Sequence, residues 1–170
     1  MATTPVEKKF AVLCKITRAQ HFAWRAAVQE MCPEADPAAV SAKMWELTGH
    51  QTAEAYLKRI DPSAPLAPQV ARSIAWSSDS MGEDVVVEIP GESPEQGPQD
   101  EAWVRHRDCP WFHWHQRLDL LAEDRPGCDV WLRTIVEDVN QALGTNLRFE
   151  TLEAMPEGGS CCLRRFWVEE

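Results

Sequence analysis

Leu147-Arg148-Phe149-Glu150-Thr151-Leu152-Glu153-Ala154-Met155, then Pro156-Glu157-Gly158-Gly159, then Ser160-Cys161-Cys162-Leu163-Arg164-Arg165-Phe166-Trp167-Val168, forms two extended runs about a Pro/Gly turn. The pattern predicts a closing β-hairpin. Just before it, Leu132, Ile135, Val136, Val139 and Leu143 recur at helical spacing, and Gly144 stops the run. A helix from Cys128 or Asp129 to Leu143 is therefore expected. No strand–helix–strand alternation surrounds this pair, so the fold class is α+β: helices packed on an antiparallel sheet, unlike a nucleotide-binding α/β fold.

Working outward, Phe10, Leu13, Ile16, Phe22, Trp24, Ala27 and Val28 predict a first helix over about 7–30, without internal Pro or Gly. Cys32-Pro33 breaks it, and Asp36-Pro37 opens a second to about Arg59, because Asp caps free amides and Pro suits the first helical position. Gly49 is expected to bend or interrupt that helix. After a Pro-rich connector, Ala71–Ser77 and Asp84–Ile89 read as a hairpin and Ala102–Asp108 as a further strand. The intervening stretch, about 90–100, reads as a solvated loop. Pro110 opens a short helix to about Leu121, and Arg125-Pro126-Gly127 is expected to break the chain before the next. The expectation is two N-terminal and two central helices on an antiparallel sheet, in one domain spanning 1–170.

Composition narrows the function classes. A net charge of −10, with no basic cluster, opposes nucleic-acid binding. Apolar runs fall short of a membrane span and no signal-peptide stretch opens the chain, so a cytoplasmic location and no membrane partner are expected. Six cysteines in a helical chain of 170 residues fit reduced thiols better than a disulfide scaffold. Eight tryptophans against one tyrosine would suit a cavity for a planar or apolar molecule, with core filling as the alternative.

The candidate chemistry lies in the C-terminal half. Cys109 precedes Pro110 at a helix amino end, where free amides favour a thiolate, and His113 lies one helical turn on as a partner for its proton or a metal. His115 faces elsewhere, and His106 is expected on the opposite side of its strand. Cys128 is expected to repeat the helix-end arrangement. With Cys161 or Cys162, whose facing periodicity leaves open, three thiolates could then share one site. Spacings this wide match no zinc ribbon, and burial of the thiols as small hydrophobes is the alternative. Glu137 or Asp138 could project into a pocket as an acid or base. His21, Trp24, Trp45, His50 and Trp111 are candidate ligand-contacting residues.

Asp108-Cys109-Pro110-Trp111, Cys128 opening a helix, Leu147-Arg148-Phe149-Glu150, and Gly158-Gly159-Ser160-Cys161-Cys162-Leu163-Arg164-Arg165-Phe166 together resemble the L-2-amino-thiazoline-4-carboxylate hydrolase family over about 105–167. The closing hairpin is also similar to that of 4-vinyl reductase-type ligand-binding domains. Phe22-Ala23-Trp24-Arg25-Ala26-Ala27-Val28 and Met44-Trp45 resemble helices of related uncharacterised proteins from anaerobic bacteria. By position, Cys109, Cys128 and Cys162 (or Cys161) match the hydrolase family's cysteines. Leu163-Arg164-Arg165 departs from its pattern of an acidic residue and a single arginine.

The resemblance implies a hydrolase opening a cyclic amidine or amide-like C–N bond, with Cys109 as nucleophile or ligand, His113 as proton shuttle, and zinc or iron as the candidate metal held by Cys109, Cys128, Cys161 and Cys162. The alternative is a non-catalytic protein binding a metal and a small ligand in a Trp-lined pocket. A third reading, an accessory partner of a larger enzyme, finds no long exposed apolar helix in the sequence to support it. A homo-oligomer is left open.

Overall fold

The computed structural model describes residues 3–90 and 100–169. In chain order it forms α1 (Val6–Met31), α2 (Pro37–Leu57), α3 (Leu66–Asp79), β1 (Asp84–Glu88), β2 (Glu101–Asp108), α4 (Pro110–Arg117), α5 (Leu121–Leu143), β3 (Leu147–Glu153) and β4 (Cys162–Val168). The strands pair antiparallel in the order β1-β2-β4-β3. The α+β class and the C-terminal hairpin stand as read from the sequence. The expected loop at about 90–100 falls almost wholly outside the described residues.

Three helices, not two, precede the sheet. The expected hairpin strand 71–77 is the second half of α3, whose apolar stripe begins earlier, at Leu66, Ala67 and Val70, and continues through Ala71, Ile74 and Ser78. That spacing is helical, and a window opened at Ala71 truncates it to a run too short to show its period. Pro68 lies in the first turn, where its missing amide has no bond to lose.

A second correction concerns α5, which starts at Leu121 and carries Pro126 inside it, so Arg125-Pro126-Gly127 is not a break. Pro126 falls early enough that the lost bond concerns only the first turns. α4 ends sooner than expected, at Arg117, and Asp119 turns the chain with a positive φ of 59°. Gly49 does not interrupt α2. A Cβ there would lie 2.8 Å from Cβ of Thr134, so its small size lets α2 and α5 pack closely. Asp36 caps α2 as expected, accepting from the Ala38 amide at 2.9 Å, and Gly144 ends α5 in the left-handed conformation.

The core lies between the helices and one sheet face. Val70, Ala71 and Ile74 of α3, Leu132, Ile135 and Val139 of α5, and Tyr56 of α2 meet Ala102, Val104, Leu147 and Phe166 of the sheet. The other face is charged, with Arg105 on Glu88 and Arg165 on Glu101 and Glu150. α1 departs from the expectation that no long helix exposes apolar residues. Over its 26 residues it buries only Cys14, Arg18 and Phe22. Among the described residues, no helix is long and apolar enough to cross a membrane.

Candidate functional site

Along β2 the inward positions run Ala102, Val104, His106, and along β4 they run Phe166, Arg164, Cys162. The sheet's helix-facing side therefore changes from apolar to polar near its β1–α4 end. Around that end α1 supplies Arg18, α3 supplies Ser78, the turn before β1 supplies Glu83, α4 begins with Cys109 and carries Trp111 and His115, and α5 adds Asp124 and Cys128.

His106 is buried, with Nε2 hydrogen-bonded to the Ser78 hydroxyl at 2.9 Å and 3.3 Å from the Glu83 carboxylate. Burial, reinforced by the positive charge of Arg164, lowers its pKa to about 3, so the ring is neutral at neutral pH. Burial also pushes the Glu83 carboxyl up, against the hydrogen bonds from Ser78 and Trp111 and the charges of Arg18 and Arg164. The Arg164 guanidinium lies within electrostatic reach of the thiols of Cys128, Cys162 and Cys109. Asp124 Oδ2 is 3.2 Å from His115 Nδ1, which is also 3.0 Å from the Trp111 carbonyl oxygen. Among the described residues, four buried side-chain atoms lack a hydrogen-bond partner: Arg18 Nε, His106 Nδ1, Asp124 Oδ2 and Arg164 Nε. All four belong to this cluster.

A cleft of about 90 Å³ adjoins it between α1, α2 and the start of α5, lined by His21, Ser41, Trp45, His115, Pro126 and Gly127 among others. A Cβ on Gly127 would come within 2.9 Å of the Trp45 indole, so the glycine seats that ring. At the rim Glu123 accepts from Arg25 Nε at 2.8 Å and Nη2 at 2.5 Å, a bidentate pair. Burial, with His115 nearby, lowers the His21 pKa to about 4. Trp111 joins cleft and cluster. Its ring lies 5.5 Å from His21 and 5.3 Å from Trp45, and its side chain hydrogen-bonds Glu83.

Of the residues singled out in the sequence, His21 and Trp45 line the cleft and Trp111 packs against both, whereas Trp24 is 74% exposed on the outside of α1. Cys109, Cys128 and Cys162 gather about Arg164. Cys161 accepts from Arg105 Nη1 at 3.4 Å and does not share that face, so of the pair it is Cys162 that lies on the Arg164 side. Cys109 does cap α4. Burial, with Glu83 and Cys128 adding to it, nevertheless raises its pKa well above that of a free thiol, outweighing the helix end. Cys128 lies two turns inside α5 rather than at its amino end, and burial pushes its thiol up to about 12. Burial raises Cys162 as well.

His113 does not meet the Cys109 thiol across a hydrogen bond. Its Nε2 lies 2.6 Å from Asp108 Oδ1 at the surface. Asp138 is taken up by His50 at 2.7 Å, and Glu137 is exposed. Among the described residues, no group of three or more His, Cys, Asp or Glu side chains is placed to hold a metal ion. A guanidinium stands among the three thiols instead, so the residues present do not fit zinc or iron. Sequence reading passed over Arg18, Ser78, Glu83 and Asp124, and set His106 aside. Only Arg164, sharing a strand face with Cys162, carried a usable signal.

No family model matches the chain. No curated protein matches it either. Among solved structures, it is similar to a trafficking protein particle complex subunit 3 from Naegleria fowleri covalently bound to palmitic acid, at 13% identity and a TM-score of 0.52, covering 92% of this chain and 97% of that one. It is also similar to the phenol-responsive sensory domain of the transcription activator PoxR with phenol, at 13% identity and a TM-score of 0.52, covering 89% of this chain and 74% of that one. These likenesses concern the fold.

Proposed function

We propose that this chain binds a small polar aromatic or heteroaromatic molecule at the cleft and the polar cluster behind it, without turning it over. The observation that carries this reading is the set of four unpartnered buried atoms, two guanidinium N–H donors, one carboxylate acceptor and one imidazole nitrogen. Leaving such groups without partners costs about 1–3 kcal/mol each, so a molecule bringing both an acceptor and a donor would recover that cost on binding. Trp45, on the cleft wall, offers its ring to a planar body, and Trp111 packs against it at 5.3 Å between centroids. The two proteins of similar fold, seen with phenol and with palmitic acid, support a scaffold that takes organic molecules.

Ring-opening hydrolysis would ask Cys109 to be a thiolate with His113 as its shuttle. A thiol held protonated and a histidine paired with Asp108 favour binding over turnover. Titration with phenol and 4-hydroxybenzoate, read by tryptophan fluorescence and by melting temperature, tests the proposal. Saturable quenching with a raised melting temperature is expected, and Trp111→Phe should weaken it roughly tenfold by removing the indole that joins the cleft to Glu83. If neither probe saturates or shifts the melt, the proposal fails.

A further inference from the structure

The long first helix is exposed where its sequence is most apolar. Val6, Phe10, Leu13, Trp24 and Met31 are 70%, 43%, 61%, 74% and 78% exposed. Val12 and Ile16, 47% and 46% exposed, lie off to one side, and the other five line up. They fall on one seam, Val6, Phe10, Leu13, Thr17, Gln20, Trp24, Ala27, Met31, whose steps alternate between four and three residues through the helix. This is the repeat by which one α-helix packs along another, and it lies on a different face from the Cys14, Arg18 and Phe22 positions that α1 turns to its own chain. A solvated helix face would carry polar residues at these positions.

The seam is complementary to itself. Laid antiparallel about a two-fold axis, it sets Trp24 against Leu13 of the second copy, Phe10 against Ala27, Met31 against Val6, and Thr17 against Gln20. The same register brings Lys9 beside Glu30, so the flanking charges are opposite in sign. The five exposed residues offer on the order of 600 Å² per copy, or about 1,200 Å² over both, at the lower edge of a standard stable interface. We infer that α1 is the surface through which two copies of this chain associate as an antiparallel, two-fold dimer. An isologous contact of this kind uses one patch twice and needs no second partner surface.

Sedimentation velocity over a concentration series tests it on the whole chain. Wild type is expected to be a dimer, and Leu13→Glu with Trp24→Glu a monomer, the dissociation constant rising at least roughly hundredfold. Both side chains are exposed, so the melting curve of the variant monomer should show an intact fold. Lys9→Glu and Glu30→Lys should each weaken the dimer several-fold, and the two together should restore it, which a parallel pairing or an unrelated surface would not do. Wild type that stays monomeric at every concentration overturns the inference and leaves the seam to a different protein. A dimer indifferent to Leu13→Glu with Trp24→Glu, or charge reversals that do not rescue each other, also overturns it.

Discussion

The two ends of one sheet face differ in what they do for the fold. At one end Ala102, Val104, Leu147 and Phe166 close against Val70, Ile74, Ile135 and Val139 with nothing polar among them. At the other, two strand positions along, His106, Arg164 and Cys162 face Arg18, Glu83 and Asp124. The apolar end gains stability from every side chain it buries. The polar end spends some of it, because charged groups desolvated without full pairing are unfavourable. A chain that tolerates the second on the strength of the first has an interior divided between holding the fold and meeting a ligand.

Acid should separate the two ends most. His106, ordinarily near 6.5, titrates at about 3 in the fold, and His21 at about 4. In both cases the unfolded chain binds the proton first. Their contribution is complete above pH 6.5 and is lost as the pH falls towards 4 and then 3, and His106 alone accounts for on the order of 5 kcal/mol at about 1.4 kcal/mol per unit. Glu83 runs the other way. Its raised carboxyl contributes below its ordinary 4.5, and that contribution is lost as the pH rises through the folded value, so it offsets part of the histidine loss in acid. Urea midpoints measured from pH 7 to 4 should fall, and His106→Gln should flatten the slope. A variant slope equal to wild type would mean that His106 is not the neutral, buried group described.

Phe166→Ala probes the apolar end, where the ring is fully buried against Phe149 at 5.9 Å between centroids. It should cost about 3–5 kcal/mol in chemical denaturation, from lost transfer energy plus the cavity. Probe binding by the fraction still folded should be unchanged. Loss of binding in folded protein would erase the functional division between the two ends.

Gly127→Ala acts at the cleft. The added methyl meets the Trp45 indole at 2.9 Å, and the ring must move, at about 1–3 kcal/mol for overpacking. Its more telling effect should be on phenol binding, lowered by tenfold or more as Trp45 swings into the cleft. Unaltered affinity would place the ligand elsewhere.

What the sequence disclosed follows from what each pattern encodes. The α5 stripe and the β3–β4 hairpin were legible because their periods are complete in the local sequence and their stops, Gly144 and Pro156 to Gly159, are explicit. α3 was misread because a Pro-rich start hides the first half of its stripe, and the α5 start because Pro126 usually breaks a helix and here falls early enough not to. Periodicity put Arg164 and Cys162 on one face without saying which face was inside. Arg18, Glu83 and Asp124 gave no signal, since a charged residue on a helix or in a turn is ordinarily solvated, and only the tertiary packing buries Arg18 and Asp124 and covers most of the Glu83 side chain. The first helix was legible as a helix, but which of its faces lies outside was not, because an apolar stripe has the same spacing whether it is buried or exposed.

Ser78→Ala makes the smallest and most pointed change at the polar end. It removes the hydroxyl that bonds His106 Nε2 at 2.9 Å and leaves His106 and Glu83 3.3 Å apart, still able to bond each other. A hydrogen bond of this kind contributes about 1 kcal/mol net, and the cluster already holds four unpartnered atoms, so denaturation should show a loss near that value. The variant should also bind phenol differently from wild type, because the His106 tautomer is set by what its Nε2 meets, and its unpartnered Nδ1 presents a donor or an acceptor accordingly. If Ser78→Ala instead costs 3 kcal/mol or more on the scale of a core truncation, with phenol affinity unchanged, the polar end is a stability device like the apolar one. The unpaired atoms would then be a cost the fold bears for no ligand.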